Sequence, residues 1–366
     1  MRYKFTITNK ILVSVGEIEV SREIIDGATL VPEWEIKFRE DALVRSVHFG
    51  THVEGNDLSR DEAQKIIRDD PARDEKAEEV AKRVGVVARE RDVQEVINYR
   101  NVVRFVDQLV RLGDNRKNFQ YGERELMQLH SLAMEKILPS NELGTYRNMS
   151  VSIRGPKRGE VVGIPPLPIE VPYQMEDFWA WLKGVGKNEV HPVLLSGIVH
   201  FELVRIHPFI EGNGRVARAF SALLLSSAKY DVKRFFSVDE YFDKDVAKYY
   251  EKIASVKESG GDLTEWLEYY TGALANEMSK VKERVRRLSM DARYKNTGGK
   301  QIALSERQIA LMEALQINEK ITMKEAREML PMVSDDTILR DLNGLIRKKL
   351  VKKKGKTKGV RYILKK

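Results

Sequence analysis

The 366-residue chain contains no cysteine. Disulfides and thiolate chemistry are therefore excluded, and a reducing compartment such as the cytoplasm is the expected setting. Long apolar runs are missing too. The most hydrophobic stretch, residues 192–209, is interrupted by His200, Glu202 and Arg205, so it reads as a core helix and not a membrane span. The opening residues, Met1-Arg2-Tyr3-Lys4-Phe5-Thr6-Ile7, lack the apolar centre of a signal peptide. No internal repeat is visible. These absences leave a protein with no expected membrane partner.

What is present suits a soluble globular protein: 42% of residues are hydrophobic and 32% charged. The length allows two or three domains with ample core. The formal net charge of +8 is unevenly placed. From residue 300 onward 17 Lys and Arg face 8 Asp and Glu, a net of +9, which leaves residues 1–299 at −1. A basic C-terminal part points to an acidic partner there.

One run concentrates functional chemistry: His207-Pro208-Phe209-Ile210-Glu211-Gly212-Asn213-Gly214-Arg215-Val216-Ala217-Arg218. Gly212 and Gly214 allow a tight turn and close approach of a ligand to backbone amides. The segment from Arg215 to Ala228 follows as an expected helix. A glycine-rich turn opening into a helix offers an anion orphan N–H groups and the positive dipole end. Arg215 and Arg218, three apart, share a helix face and suit phosphate oxygens. Glu211 offers an oxygen ligand to a hard cation such as Mg2+. His207 can accept a hydroxyl proton near neutral pH. Each piece alone has an ordinary reading: a loop histidine, a Gly-Asn-Gly turn, solvated arginines. Together they describe transfer from a nucleoside triphosphate–Mg2+ complex to a hydroxyl.

The run resembles, without departure, the Fic family signature His-Pro-Phe-x-(Asp/Glu)-Gly-Asn-Gly-Arg-x-x-Arg. The resemblance implies a mainly α protein, with a Fic-type helical core and a β-hairpin flap. It implies a protein adenylyltransferase that moves AMP from ATP to a Ser, Thr or Tyr hydroxyl of a target protein and of itself. By the same resemblance His207 is the catalytic base and Glu211 the metal ligand. Phe209, Gly212, Asn213, Gly214, Arg215 and Arg218 form the nucleotide site, with Phe209 chiefly a core anchor for the loop. Gly214 separates this chain from the related Doc-type kinases, which carry Lys there. Tyr249 and Tyr250, on a helix expected from Glu240 to Ile253, are either core aromatics or contacts to the adenosine. Two other functions stay open: a DNA-binding transcriptional regulator that senses nucleotide, and a hydrolase that removes AMP.

Upstream, residues 1–37 contain β-like runs such as Lys10-Ile11-Leu12-Val13-Ser14-Val15, and helices follow from Trp34 to about Lys117. Glu54-Gly55 is either a helix end capped by glycine or a match to the inhibitory motif of many Fic proteins, (Ser/Thr)-x-x-x-Glu-(Gly/Asn). On that resemblance Glu54 would reach Arg218. Gly50 stands where Ser or Thr is usual, which implies a loosely held inhibitory helix. Residues Val151–Arg154 and Val161–Pro166 alternate around a turn and read as a hairpin. It resembles the Fic flap, which would hold an extended target segment by strand addition.

Beyond residue 300 three short helices, Ser305–Leu315, Thr322–Met329 and Ser334–Lys349, precede a basic hairpin over Val351–Leu364. This arrangement resembles a winged helix-turn-helix. Arg340, Asn343 and Arg347 on the third helix, with Lys352, Lys353 and Lys354 on the wing, would bind duplex DNA; a solvated tail or a protein-binding surface is the alternative. Expected domains are therefore an N-terminal inhibitory segment over 1–95, a Fic domain over 96–293, a linker over 294–300 and a winged helix over 301–366. A homodimer stays open.

Overall fold

The computed structural model describes residues 3–28, 30, 32–72, 74–114, 121–155, 161–185, 189–231, 235–289, 304–355 and 360–365. The chain is mainly helical and divides into two units. The first comprises Met1–Glu23 with Phe38–Ser279, and the second Ile24–Lys37 with Lys280–Lys366.

The chain opens with α1 (Asn9–Gly27) and α2 (Pro32–His52). Helix α1 replaces the β-like run expected at Lys10–Val15. Ile11 and Ile18, seven residues apart, are both fully buried, so the helical repeat of the apolar face outweighs the β-branched composition. Next come α3 (Arg60–Asp69), α4 (Ala77–Val84), α5 (Glu90–Asp114) and α6 (Glu123–Met134). Ser59 caps α3 in a reciprocal box with Glu62. Residues 95 and 96, the expected domain boundary, both fall inside α5.

Two short strands, β1 (Ile153–Arg154) and β2 (Val161–Gly163), pair antiparallel, with Ile153 opposite Gly163. Helices α7 (Val171–Gly184), α8 (Pro192–Ile206) and α9 (Asn213–Ser227) follow. Helix α8 is apolar nearly all round and buried along almost its whole length, the behaviour of a central core helix. It shares one hydrophobic cluster with α5, α6, α7 and α9 through Val199, Leu203, Val96, Leu129, Phe178 and Phe220. The motif run links α8 to α9, so a rigid core fixes both ends of the loop.

The single helix expected over Glu240–Ile253 is two: α10 (Asp239–Lys244) and α11 (Val246–Glu258). Asp245 breaks it by taking an extended conformation (φ −150°, ψ 77°) and capping the second helix at the Lys248 amide. This is what a short acceptor side chain favours over an interior helix position. Helix α12 (Thr264–Ser289) closes the first unit and runs into the second.

In the second unit α13 (Glu306–Asn318), α14 (Met323–Met329) and α15 (Asp335–Arg347) surround a small core containing Leu315, Ile338, Leu342 and Leu345. Its sheet has three strands rather than the expected two. Strand β3 (Lys320–Thr322), between the first two helices, pairs with β5 (Arg361–Leu364), which pairs with β4 (Val351–Lys354), both antiparallel. The expected linker 294–300 lies outside the described residues. Among the described residues no helix is long and apolar enough to cross a membrane.

Candidate active site

Helix α8 ends where His207 turns left-handed (φ 52°, ψ 59°). Gly212 turns left-handed again (φ 79°) just before α9, whose first residue is Asn213, two earlier than the sequence suggested. The motif loop is thus bounded by two backbone reversals. His207 Nδ1 lies 3.1 Å from the Val204 carbonyl. A carbonyl only accepts, so Nδ1 carries the proton and the Nε2 lone pair is left for chemistry. Burial lowers the His207 pKa to about 4; the Val204 bond and the Glu54 charge raise it, and the Arg147 charge lowers it further. The ring is neutral at pH 7.

Phe209 is fully buried and stacks on His130 at 3.9 Å with 8° between the planes. It anchors the loop, as expected. Asn213, expected in the nucleotide site, uses its side chain within the loop. Its Oδ1 accepts from Phe209 N at 2.8 Å and its Nδ2 donates to Phe209 O at 2.8 Å, so the amide closes the loop. What Asn213 leaves for an anion is its backbone N–H, among the first of α9, which have no intrahelical acceptor. Tyr249 is likewise core: it is buried, and its hydroxyl lies 2.8 Å from His200 Nε2. Tyr250 is half-buried against the same cluster.

The two motif arginines are both buried. Arg215 reaches Glu95 at 3.5 Å, while its Nε and Nη1 find no acceptor among the described residues. Two buried donors without an acceptor are unfavourable unless an anion meets them. Arg218 lies between carboxylates, with Nη1 3.0 Å from Glu54 Oε1 and Nε 3.0 Å from Asp239 Oδ1. Its Nη2 donates to the Gly50 carbonyl at 2.7 Å. Glu211 is partly exposed and ion-paired with Arg91, and its carbonyl lies 3.1 Å from His130 Nε2. No group of three or more His, Cys, Asp or Glu able to hold a metal occurs among the described residues. A cation at Glu211 would therefore take most of its ligands from phosphates and water, the habit of Mg2+.

Glu54 follows the end of α2 in a turn that Gly55 completes with φ 90°. Glu54-Gly55 is a helix end closed by glycine, and it also sets a carboxylate on Arg218. The segment is closely packed at Gly50. The ring of Tyr99 fills the space beside Gly50, so that a Cβ there would stand 2.2 Å from Tyr99 Cε1. Thr51, buried, bonds back to Val47 and His48 carbonyls at 3.0 Å. Asn56 donates to the Asp92 carbonyl and to Glu95, each at 3.0 Å. A second glycine permits the contact: a Cβ on Gly214 would come 2.1 Å from Glu54 Oε1.

Tyr99, Glu95, Asp239, His130 and Arg147 carried no sequence signal of their own. His130 Nδ1 accepts from the Gly144 amide at 2.9 Å, which leaves Nε2 to donate to Glu211 O.

In the second unit Arg340 and Arg347 line a cleft of about 400 Å3 between α13 and α15, together with Arg307 and Lys348. Asn343, exposed on α15, does not line it. Lys352, Lys353 and Lys354 are exposed along β4, an edge strand.

Residues 120–225 match the family described as Fic/DOC. The chain carries a Fic/DOC family domain. Over 107 residues it is 34% identical to protein adenylyltransferase Fic of Drosophila grimshawi, a match that covers 29% of this chain and 20% of that protein. The corresponding protein of Drosophila erecta is 35% identical over the same shares. The chain thus spans about 20% of the length of these curated relatives. Among solved structures, a Fic family protein from Desulfovibrio desulfuricans superposes with a TM-score of 0.65 at 22% identity, covering 100% of this chain and 98% of that one. Fic-1 from C. elegans gives 0.55 at 19% identity, covering 75% and 72%. At these identities the likeness is one of fold. The Fic domain contains α6, the β1–β2 pair, the motif loop and most of α9; Glu54, Tyr99 and Asp239 come from outside the matched segment.

Proposed function

We propose that this protein is a protein adenylyltransferase that moves AMP from ATP to a Ser, Thr or Tyr hydroxyl of a target protein and of itself, restrained by Glu54. The observation that carries the reading is the pairing of His207 with the start of α9. A neutral imidazole with its Nδ1 proton on the Val204 carbonyl is followed along the motif by the first amides of α9, which have no intrahelical acceptor, and by Arg215, two of whose buried donors have no acceptor among the described residues. In the proposed reaction Nε2 takes the proton of the incoming hydroxyl, whose oxygen attacks the α-phosphorus while pyrophosphate leaves. Arg215, Arg218 and the amides of Gly212 to Gly214 bind the phosphates and offset charge as it develops. Glu211 would hold Mg2+, which would neutralise part of the phosphate charge when bound. The β1–β2 hairpin would hold an extended target segment.

The second unit favours an accompanying activity. Three helices, an antiparallel sheet of order β3-β5-β4 and three exposed lysines on β4 fit a winged helix-turn-helix on duplex DNA. Arg340, Asn343 and Arg347 would then meet the groove, and Lys352, Lys353 and Lys354 the phosphates.

Intact-mass analysis after incubation with ATP and Mg2+ tests the main reading without knowledge of the target. The expected result is a gain of one or more adenylyl groups, absent from His207→Ala, with ATP binding retained in that variant. Loss of a placed general base lowers the rate by about 10²–10⁴-fold. Equal modification of parent and His207→Ala would remove His207 from the role. If instead the protein only strips AMP from a modified target and Glu54→Gly abolishes this, the hydrolase reading replaces the transferase.

A further inference from the structure

Arg147 lies just before β1, 5% exposed, and among the described residues its guanidinium bonds only to carbonyl oxygens. Nε donates to His207 O at 2.7 Å. Nη2 donates to Pro166 O at 2.7 Å and Ile206 O at 3.4 Å, and Nη1 to Met149 O at 3.2 Å. The main-chain N–H of Arg147 donates to Pro208 O at 2.9 Å. Met149 precedes β1 and Pro166 follows β2. One side chain therefore holds both arms of the hairpin and both sides of the His207 backbone reversal.

We propose that Arg147 is a positioning residue that sets the hairpin against His207, so that a hydroxyl presented on the hairpin arrives in register with Nε2. The proposal rests on the reading of His207 as the base.

Three features support it. First, a non-glycine residue in the left-handed region, as His207 is, persists only where its surroundings enforce that conformation. The Arg147 bond to the His207 carbonyl is one such constraint. Second, the bonding needs a planar fork. Five N–H donors in fixed directions can meet carbonyls from three segments, whereas a lysine ammonium would meet them from a single point. Third, among the described residues no carboxylate accepts from Arg147, and burial alone already lowers its pKa. A buried cation without a counter-ion is expensive. Its uncompensated charge acts on His207, where it opposes protonation, while Glu54 acts in the opposite sense. Arg147 thus holds the base in register, and its charge adds to the burial that keeps the ring neutral.

The test uses the full chain and two variants. Arg147→Lys keeps the charge and loses the fork; Arg147→Gln loses the charge. The His207 ring is followed by NMR titration, assigned by its absence in His207→Ala. The hairpin is followed by amide exchange at Val161–Gly163, and ATP affinity by calorimetry. Arg147→Gln is expected to move the His207 midpoint up, because a charge that opposes protonation is removed. Arg147→Lys is expected to leave the midpoint in place, speed exchange of the hairpin amides, and lower kcat for transfer to protein hydroxyls at least about tenfold with ATP affinity within about twofold. Unchanged exchange in a folded Arg147→Lys would overturn the proposal, as would an unchanged His207 midpoint in a folded Arg147→Gln. If the parent transfers no AMP, the base reading fails on its own, while titration and exchange still decide whether Arg147 sets hairpin and loop.

Discussion

Replacing Gly50 by Ser restores the residue type usual in the inhibitory motif, and on that ground alone should tighten the restraint. The structure predicts the opposite. A Cβ at position 50 would stand 2.2 Å from Tyr99 Cε1, 3.0 Å from Cδ1 and 3.1 Å from Cζ. Favourable carbon contacts lie at about 3.5–4.0 Å, so one partner must move by more than about 1 Å. Tyr99 is 2% exposed within the main core, so its ring has nowhere to go and the last turn of α2 must yield. That turn supplies the Gly50 carbonyl to Arg218 and leads into Glu54. Overpacking of this kind costs about 1–3 kcal/mol. If release of the turn relieves that strain, the balance moves toward the released form by about 5–150-fold. Gly50→Ser should therefore raise the initial rate of self-adenylylation, read by intact mass, within that range. Gly50→Ser with Tyr99→Ala should fall back toward the parent, because the added Cβ then has room. A Gly50→Ser protein that melts like the parent and modifies itself no faster would refute the steric argument.

Three further outcomes can be checked. Glu54→Gly should raise self-adenylylation, and the gain should vanish in the double variant with His207→Ala; an unchanged rate in Glu54→Gly would end its role as a restraint. Stability should fall in mild acid. His130 and His200, both fully buried, are pushed down to about 4 and about 3 from a usual imidazole value near 6.5. The unfolded chain therefore binds more protons below about pH 6.5, and stability drops as pH falls through that window by up to about 1.4 kcal/mol per pH unit for each ring. A thermal midpoint no lower at pH 5 than at pH 7 would contradict this. Binding of duplex DNA by the full chain should weaken linearly in log–log plots against salt. Replacing Lys352, Lys353 and Lys354 by Gln should reduce the slope by as much as about 2.7 if all three meet phosphates; no DNA binding at low salt would assign the second unit to another partner.

Much of the site was legible because its chemistry is contiguous. From His207 to Arg218 the residues with proposed roles form one run, and apolar flanks turn that run into a loop between two core helices. Glu54 was legible only through a short motif, and its contact lies 164 positions away at Arg218. Gly50 misled because a glycine reports nothing about its neighbour; the Tyr99 ring that fills the space belongs to α5. Arg147 and His130 were invisible because they act through backbone carbonyls and amides, which impose no partner residue type for a pattern to register. In the fold, α1 was misread where local β-branched content was weighed above a seven-residue spacing. The Asp245 break was missed because a single capping residue inside an apolar pattern looks like an exposed helix position.

Arg218 has a consequence for the idle protein. Its charge is permanent, and it is enclosed on one side by Asp239 and on the other by Glu54. Asp239 is buried beside it, whereas Glu54 lies in the exposed turn at the end of α2. A cation so enclosed does not tolerate a vacant side; whatever displaces Glu54 must bring negative charge of its own. On the proposed function, the chain carries a tethered stand-in for the end of its own substrate. The stand-in returns each time the departing product leaves the cation bare, so the resting interval between turnovers would be set by a side chain at fixed local concentration and not by anything in solution.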